Sequence, residues 1–286
     1  MRRLASTLLH CRHDYVYRWA WAGVKAVVYD HYGSPDVLRI EDVLVPSPTA
    51  GQVRVKVAAT SVNLSDWEGL RGSPAYARIG GLRSPARRTL GSDIAGVVDD
   101  LGEGVTRFRT GDQVYGDNLA LKGGFAEYVI APESALAHKP TQLTFAEAST
   151  IPQAGAIALL GTERVVAGSR VLINGAGGGS GSFAIQLAKR RGAHVTGVDN
   201  SAKQDHMRSV GADDVIDYRR GDFTRTTQPY DLILDLVAHR SVLANLCVAG
   251  DIRTHIDRCF ALDEVPAALA RVGEGRALGK VVVVPS

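Results

Sequence analysis

The 286-residue sequence contains only three cysteines, Cys11, Cys247 and Cys259, and they lie far apart in the chain. An odd number of widely separated cysteines provides no disulfide framework, and this favours a reducing, cytoplasmic location. The sequence also has no CxxC motif, no HExxH motif and no cysteine–histidine cluster at zinc-binding spacing. We therefore expect no metal site in this protein.

Long apolar runs and a large excess of one charge are absent as well. No apolar stretch approaches the length of about 20 residues that a membrane-spanning helix needs. The 33 Lys and Arg residues exceed the 30 Asp and Glu residues by only +3. A nucleic-acid-binding protein usually concentrates its basic residues in one stripe. The sequence therefore predicts neither a membrane partner nor a nucleic-acid partner.

The first 23 residues are arginine-rich, but their apolar run is too short and too broken for a secretory signal. We interpret residues 1–23 as an extension outside the fold, and a crude transit segment is the alternative. The first domain then begins at Val24.

The hydrophobic pattern of the remaining chain changes near residue 150. Residues 24–150 contain β-branched runs separated by Gly, Pro and Asp, which indicate a barrel-like or sandwich-like β domain. Residues 151–260 alternate apolar strands with helices, which indicates βαβ units on a parallel sheet. A last helix and strand follow in residues 261–286. The predicted fold class is α/β, with a β-rich domain before a doubly wound parallel sheet.

A glycine-rich turn lies between a predicted strand and a predicted helix in the segment VLINGAGGGSGSFAIQLAK. Its AxGGxG pattern is a variant of the dinucleotide-binding fingerprint, and Asp199 ends the next strand eighteen residues after Gly181. Such a turn presents helix amides to a pyrophosphate, although glycines can also serve only close helix–strand packing. The predicted cofactor-binding residues of the turn are Ala176, Gly178, Gly179, Ser180 and Gly181.

The residues near the adenosine end leave the choice of dinucleotide open. Asp199 would accept hydrogen bonds from ribose hydroxyls and repel a 2′-phosphate, which favours NAD(H). Lys203 lies four residues later and would bind that phosphate, which favours NADP(H). Tyr218 ends the third strand of the sheet and is a further candidate. Either NADP(H) or NAD(H) remains consistent with the sequence.

Several motifs together resemble the medium-chain dehydrogenase/reductase superfamily, and its zinc-independent quinone oxidoreductase branch in particular. They are SVNLSDWEGLRG, LGSDIAGVVDDLGEGVTRFRTGDQVYG, GGFAEYVIAPE, the glycine turn, VGADDVIDY and RALGKVVVV. The resemblance implies a GroES-like catalytic domain, a Rossmann domain and a C-terminal segment that returns to the catalytic domain. It also implies hydride transfer from NAD(P)H to quinones, enones or similar carbonyl compounds.

The same resemblance implies a substrate site near the family motif NxxDxxxRxG. Asn63 and Asp66 match it, and the arginine is displaced by one position to Arg71. Asn63 would orient the nicotinamide ribose or the substrate oxygen, and Asp66 would hold that geometry. Tyr76 is a further candidate for substrate contact. Residues 24–150 contain no cysteine, so hydrogen-bond donors rather than zinc would polarise the substrate carbonyl.

The chain departs from the family pattern in its second half. Several dozen residues are missing between Asn245 and Val248, which would remove two late strands of the sheet, and a smaller gap follows Leu160. One of those strands often forms the dimer edge in the family, which leaves a homodimer in question. The alternative function is a catalytically impaired dinucleotide-binding paralogue that acts through binding or partner recruitment.

Overall fold

The computed structural model describes residues 23–79, 81–225, 229–237, 256–261 and 280–284, together with residues 264, 267, 270 and 271. The chain divides into two units, Met1–Ala156 and Ile157–Ser286. The predicted N-terminal extension, except for Gly23, and the predicted gap between Asn245 and Val248 lie outside the described residues. The boundaries proposed from the sequence, and the return of residues 261–286 to the first domain, stay predictions.

The first unit is built mainly of antiparallel strands. Its elements are β1 (Val24–Val28), β2 (Arg39–Val43), β3 (Gln52–Ser61), α1 (Leu64–Arg71), β4 (Asp93–Leu101), β5 (Gln113–Asp117), β6 (Tyr128–Pro132), β7 (Leu136–His138), α2 (Phe145–Ser149) and the start of α3 (Pro152–Gly161). Five strands form one sheet in the order β6-β3-β4-β5-β7, and β1 pairs with β2.

Burial alternates along β3 of this sheet. Val53 and Val55 of β3 are fully buried, whereas Arg54 between them forms an ion pair with Asp99. This alternation is expected where one face of an antiparallel sheet covers a core and the other is open. The buried valines pack against β4 and β5, which fixes the position of the loops at the ends of these strands.

The second unit contains a parallel sheet with helices. Its elements are β8 (Arg170–Asn174), α4 (Gly179–Arg190), β9 (His194–Asp199), α5 (Gln204–Ser209), β10 (Asp214–Asp217), β11 (Leu232–Asp235), β12 (Ile256–Ala261) and β13 (Lys280–Val284). In the described residues four strands form the sheet, in the order β10-β9-β8-β11, and all its pairs are parallel. Strands β12 and β13 form a separate parallel pair.

The apolar runs of the second unit have the burial expected of such a sheet. Val171, Leu172 and Ile173 are consecutive in β8 and all are buried, since both faces of a parallel sheet are covered. Ala184, Ile185 and Ala188 of α4 pack against this core. The predicted α/β class is therefore confirmed, with a β-rich unit before a parallel one. No helix among the described residues is long and apolar enough to cross a membrane.

We expect Ile173→Ala to lower the free energy of unfolding by about 3 kcal/mol, because it removes methyl groups from a fully buried site and leaves a cavity. Leu160→Ala is the control, because Leu160 is 72% exposed, and it should change stability by less than about 0.5 kcal/mol. Urea unfolding of the full chain measures both. Equal losses in the two variants would contradict this assignment of the core.

Candidate cofactor and substrate site

The turn between β8 and α4 is held against the neighbouring strand. The N–H groups of Gly175 and Ala176 both donate to the carbonyl of Val198, at 2.9 and 3.1 Å. Gly175 has a φ of 81°, in the left-handed region that favours glycine. A Cβ at Gly181 would lie 2.4 Å from the carbonyl oxygen of Gly175 and 2.5 Å from that of Ala176. Only glycine at position 181 therefore lets α4 begin so close to the end of β8.

The first turn of α4 presents backbone amides without intrahelical acceptors. Ser182 makes the first intrahelical bond, with its N–H donating to the carbonyl of Gly178 at 2.9 Å. The N–H groups of Gly179, Ser180 and Gly181 precede that bond, and helix geometry gives them no acceptor within the helix. An added Cβ at Gly178 would have only one neighbouring atom, at 3.4 Å. This open helix N-terminus suits a phosphate group.

Asp199 is at the carboxyl end of β9, where its carboxylate is held by four donors. Its Oδ2 accepts from the N–H of Gly177 and from Lys203 Nζ, each at 3.1 Å. Its Oδ1 accepts from the backbone N–H and the side-chain Nδ2 of Asn200, at 2.8 and 3.1 Å. The buried carboxylate therefore joins β9 to the first amide of the glycine turn.

Lys203 and Tyr218 lie at the same end of the sheet as Asp199. The stem of Lys203 passes over Gly177, where an added Cβ would lie 2.6 Å from Lys203 Cδ. The N–H of Tyr218 donates to the carbonyl of Asp199 at 3.3 Å, and Tyr218 is 48% exposed. The structure thus brings together the candidates Asp199, Lys203 and Tyr218 beside the turn. Ala176 differs from them because its side chain is fully buried in the core.

Sequence reasoning missed two polar pairs in this unit. His206 of α5 has its Nε2 2.9 Å from Ser182 Oγ, and that hydroxyl donates to the carbonyl of Gly178 at 2.8 Å. At the ends of β8 and β11, Asn174 Nδ2 donates to Asp235 Oδ1 at 2.9 Å. Each pair joins residues far apart in the chain, so no local motif could have indicated it.

In the first unit, Asp66 fixes the turn that precedes α1. Its side chain is buried, and its Oδ2 accepts from the N–H of Asn63 at 3.0 Å. Its Oδ1 accepts from the N–H of Gly91, also at 3.0 Å, in the loop before β4. Both carboxylate oxygens therefore hold backbone amides. This geometry supports Asp66 as a residue that positions Asn63.

The side chain of Asn63 faces a buried carboxylate that the sequence analysis did not select. Asn63 Nδ2 donates to Ser92 Oγ at 3.3 Å, and its side chain also forms a hydrogen bond with Asp93. The Asp93 carboxylate further accepts from Ser61 Oγ at 3.1 Å and from the N–H of Gln153 at 3.1 and 3.3 Å. The motif LGSDIAGVV contains Asp93, yet only the folded arrangement shows that it meets Asn63.

Burial raises the pKa of Asp93 to about 6. The hydrogen bonds from Asn63, Ser61 and Gln153 oppose this rise, and the negative charge of Asp117 adds to it. Desolvation is the largest cause, because Asp93 is completely buried and the interior disfavours its charged form. Asp93 therefore holds its proton more tightly than an ordinary aspartate does.

The remaining residues that the sequence singled out in the first unit are Tyr76 and Arg71. Tyr76 is 58% exposed in a short 3-10 helix, Ala75–Arg78, and a hydrogen bond with Glu68 raises its pKa. Arg71 lies over the ring of Trp67, with 5.2 Å from its Cζ to the ring centroid. Among the described residues, neither Tyr76 nor Arg71 shares a hydrogen bond with Asn63, and no group of three or more His, Cys, Asp or Glu residues could hold a metal ion.

Comparisons with known proteins agree with this arrangement. Residues 49–141 match the alcohol dehydrogenase GroES-like domain, and residues 179–249 and 240–283 match zinc-binding dehydrogenase models. The chloroplast envelope quinone oxidoreductase homologue of Arabidopsis thaliana is 33% identical over 226 residues, which cover 75% of this chain and 67% of that protein. The chain belongs to the medium-chain dehydrogenase/reductase superfamily, in its quinone-oxidoreductase-like branch.

Other members of the superfamily extend the comparison. The mitochondrial NAD(P)H oxidoreductase RTN4IP1 of Bos taurus is 36% identical over 235 residues, covering 74% of this chain. The chain spans only 59% of the length of that relative. The quinone oxidoreductase structure from Coxiella burnetii has a TM-score of 0.67 and 27% identity, covering 91% of this chain and 98% of that one.

The alignment with a third relative bears on the gap that the sequence predicts. The chloroplastic quinone oxidoreductase QR1 of Triphysaria versicolor is 28% identical over 332 residues, which cover 92% of this chain and 98% of that protein. This alignment is longer than the 286 residues of the chain, so the relative has residues that this chain lacks.

Membership of this superfamily confirms NAD(P)(H) as the cofactor that the glycine turn predicts. The residues present fit that cofactor, because the open amides of α4 suit its pyrophosphate and the Asp199–Lys203 pair lies beside them.

We expect Gly181→Ala to destabilise the chain by about 2 kcal/mol, because the new Cβ would overlap two backbone carbonyl oxygens that cannot move without breaking the turn. It should also abolish saturable NADPH and NADH binding in isothermal titration calorimetry. Gly178→Ala is the matched control for stability, since its Cβ has ordinary contact distances. A Gly181→Ala variant with normal stability and cofactor affinity would contradict the close approach described.

Proposed function

We propose that this protein is an NAD(P)H-dependent oxidoreductase that transfers hydride to quinones, enones or related carbonyl compounds without zinc. The observation that carries the proposal is the open N-terminus of α4 beside the Asp199–Lys203 pair, in a chain of the quinone-oxidoreductase-like branch. NAD(P)H would supply the hydride. The relatives named above as quinone and NAD(P)H oxidoreductases support the substrate and cofactor classes.

The glycine turn would hold the pyrophosphate of the cofactor. The amides of Gly179, Ser180 and Gly181 would donate to its oxygens, helped by the positive end of the α4 dipole. Asp199 and Lys203 would face the adenosine ribose, with Tyr218 beside them. Ala176, whose side chain is buried in the core, would support the turn from below and stays a candidate for a backbone contact.

The first unit would orient the substrate or the nicotinamide ribose through Asn63. Asp66 would keep Asn63 in place by binding its backbone amide. Tyr76 remains a candidate for substrate contact because of its exposed ring. The absence of cysteine from residues 24–150 supports carbonyl polarisation by hydrogen-bond donors, since the zinc-dependent branch would need ligands there.

One observation favours the second candidate function, a dinucleotide-binding protein with impaired catalysis. The alignment with the Triphysaria quinone oxidoreductase is longer than this chain, so parts of that enzyme have no counterpart here. A shortened sheet would keep the phosphate turn and lose contacts to the nicotinamide. Homodimer formation and the cytoplasmic location stay predictions, and the three curated relatives described above are named as mitochondrial, chloroplastic or of the chloroplast envelope.

The first experiment is NADPH and NADH oxidation by the purified chain with a benzoquinone and a simple enone, followed at 340 nm. For the proposed reductase we expect a kcat of the order of 1 s⁻¹ or higher. Asn63→Ala should lower kcat/KM about tenfold, which corresponds to one lost hydrogen bond. Saturable cofactor binding without turnover would support the impaired paralogue. The absence of both binding and turnover would contradict both proposed functions.

The Asp199–Lys203 pair should control the choice of cofactor. We expect Lys203→Ala to weaken NADPH about fivefold more than NADH, because it removes the cation nearest the expected 2′-phosphate. Asp199→Asn should act in the opposite direction, because it removes a carboxylate that repels that phosphate. Calorimetric titration with each cofactor measures the ratio. If both variants shift the ratio in the same direction, the pair does not discriminate between the cofactors.

A further inference from the structure

Gln153 is held at the start of α3 by two other segments of the first unit. Its backbone N–H donates to both oxygens of the Asp93 carboxylate, at 3.1 and 3.3 Å. Its side-chain Oε1 accepts from Ser65 Oγ of α1 at 3.2 Å. The first contact fixes the backbone, and the second fixes the side-chain amide. Because the Ser65 hydroxyl donates to the amide oxygen, the amide nitrogen points away from Ser65.

The amide nitrogen of Gln153 is open to a ligand. Nε2 carries two hydrogens, and no residue that the structure describes accepts either of them. Gln153 is half-buried, yet its Nε2 is not one of the buried side-chain atoms that lack a partner in the described part of the chain. Such a nitrogen reaches the surface. Gln153 therefore presents a fixed N–H donor there.

The amide of Asn63 differs from that of Gln153, because both of its ends are engaged. Asn63 Nδ2 donates to Ser92 Oγ at 3.3 Å. The capping box at the start of α1 joins the Asn63 side chain to the N–H of Asp66. Among the described residues, Gln153 has a side-chain partner at its oxygen alone. Of these two amides, Gln153 is thus the one with a nitrogen available to a ligand.

Exposed apolar side chains lie close to Ser65 in α1. Leu64 precedes Ser65, Trp67 follows it by two positions, and both are exposed. They are three residues apart in one helix, so they lie on the same side of it. Sites for small molecules commonly combine such an apolar surface with a few polar groups that orient the ligand. A cyclic carbonyl compound suits this combination, with its ring against the apolar side chains and its oxygen toward the donor.

We propose that Gln153 is the hydrogen-bond donor that binds the carbonyl oxygen of the substrate, and that Ser65 positions its amide. The inference rests on the proposed reductase function, and it names the donor that carbonyl reduction without zinc requires. An amide NH₂ group donates and does not accept. The oxygen that it binds is therefore an acceptor, as in an enone or a quinone.

The reduction of an enone shows what this donor does. The hydride carries its electron pair from NAD(P)H to the β-carbon, which leaves NAD(P)⁺. The C=C pair forms a new double bond to the carbonyl carbon, and the C=O π pair moves to the oxygen. Gln153 keeps its proton and stabilises the developing enolate oxygen more strongly than the neutral carbonyl, and water then protonates the enolate. The hydrogen bond thus acts mainly in the transition state.

Gln153→Met tests this role, because it keeps the length of the side chain and the backbone N–H but removes the donor. With 2-cyclohexen-1-one and a saturating cofactor, we expect kcat to fall about 100-fold with little change in KM, as for the loss of one oxyanion donor. An unchanged kcat, or a rise in KM alone, would overturn the proposal. If this variant does not fold, Gln153→Glu keeps an acceptor for Ser65, removes the NH₂ group and should show at least the same loss.

Ser65 should act through Gln153. Ser65→Ala removes the hydroxyl that holds Oε1 and lets the amide rotate, so we expect kcat to fall about tenfold. Ser65→Thr keeps a hydroxyl and should restore most of kcat. In a Gln153→Met background, Ser65→Ala should cost nothing further. An additive loss would overturn the positioning role of Ser65.

Binding can be followed without hydride transfer. Cyclohexanone offers a carbonyl oxygen, and NADP⁺ has no hydride to give. The test is ¹⁵N NMR of the full chain with NADP⁺, in which the side-chain signals of Gln153 are those missing from Gln153→Met. We expect cyclohexanone to shift these signals saturably, and to shift them less in Ser65→Ala. The amide of Gln186, which donates to the carbonyl of Ser182 at 3.0 Å, is the control and should not move. Unmoved Gln153 signals would overturn the proposal.

The two measurements separate this proposal from the reductase function. A Gln153 shift in a chain without turnover would reject the reductase and keep Gln153 as a donor to a carbonyl ligand. Turnover that Gln153→Met leaves unchanged would reject the donor role alone.

Discussion

The close approach of α4 to the end of β8 is the constraint on which the second unit depends. Two carbonyl oxygens of the turn lie within 2.5 Å of where a Cβ at Gly181 would stand, so the helix can start there only with glycine. Because α4 starts there, its first backbone N–H groups lie at the carboxyl edge of the parallel sheet. The same approach lets the end of β9 bring Asp199 to the N–H of Gly177.

Buried carboxylates perform a common task in both units. Asp66, Asp93 and Asp199 are all buried, and each accepts at least one backbone N–H from a neighbouring segment. A charged group in the interior is tolerated when hydrogen bonds satisfy it. In each case the carboxylate joins its own element to a segment that is distant in the sequence or next to it in the fold. At Asp93, burial outweighs the hydrogen bonds and raises the pKa of the carboxylate.

Much of this organisation could be predicted from the sequence. The change from antiparallel to parallel structure follows from strand patterning, and the glycine turn follows from its position between β8 and α4. The contacts of Asp93 could not be predicted, since Ser61 and Gln153 reach its carboxylate from two elements that are distant in the sequence. Tyr76 lies close to the motif in the sequence, but a motif cannot show whether a neighbouring side chain points to the solvent. Ala176 matched the fingerprint, yet its side chain is a core residue.

The pairing of Lys203 with Asp199 has a consequence for ionic strength. A lysine that is free before binding gains a whole ion pair when a phosphate arrives, and such binding weakens steeply with added salt. Lys203 already has a partner 3.1 Å away, and its side chain is 42% exposed. An arriving phosphate would exchange one partner for another, so the net gain of charge contact would be smaller than for a free lysine. The affinity of this turn for a phosphorylated ribose would therefore depend weakly on salt, and the Asp199 carboxylate would act as an internal competitor for the lysine.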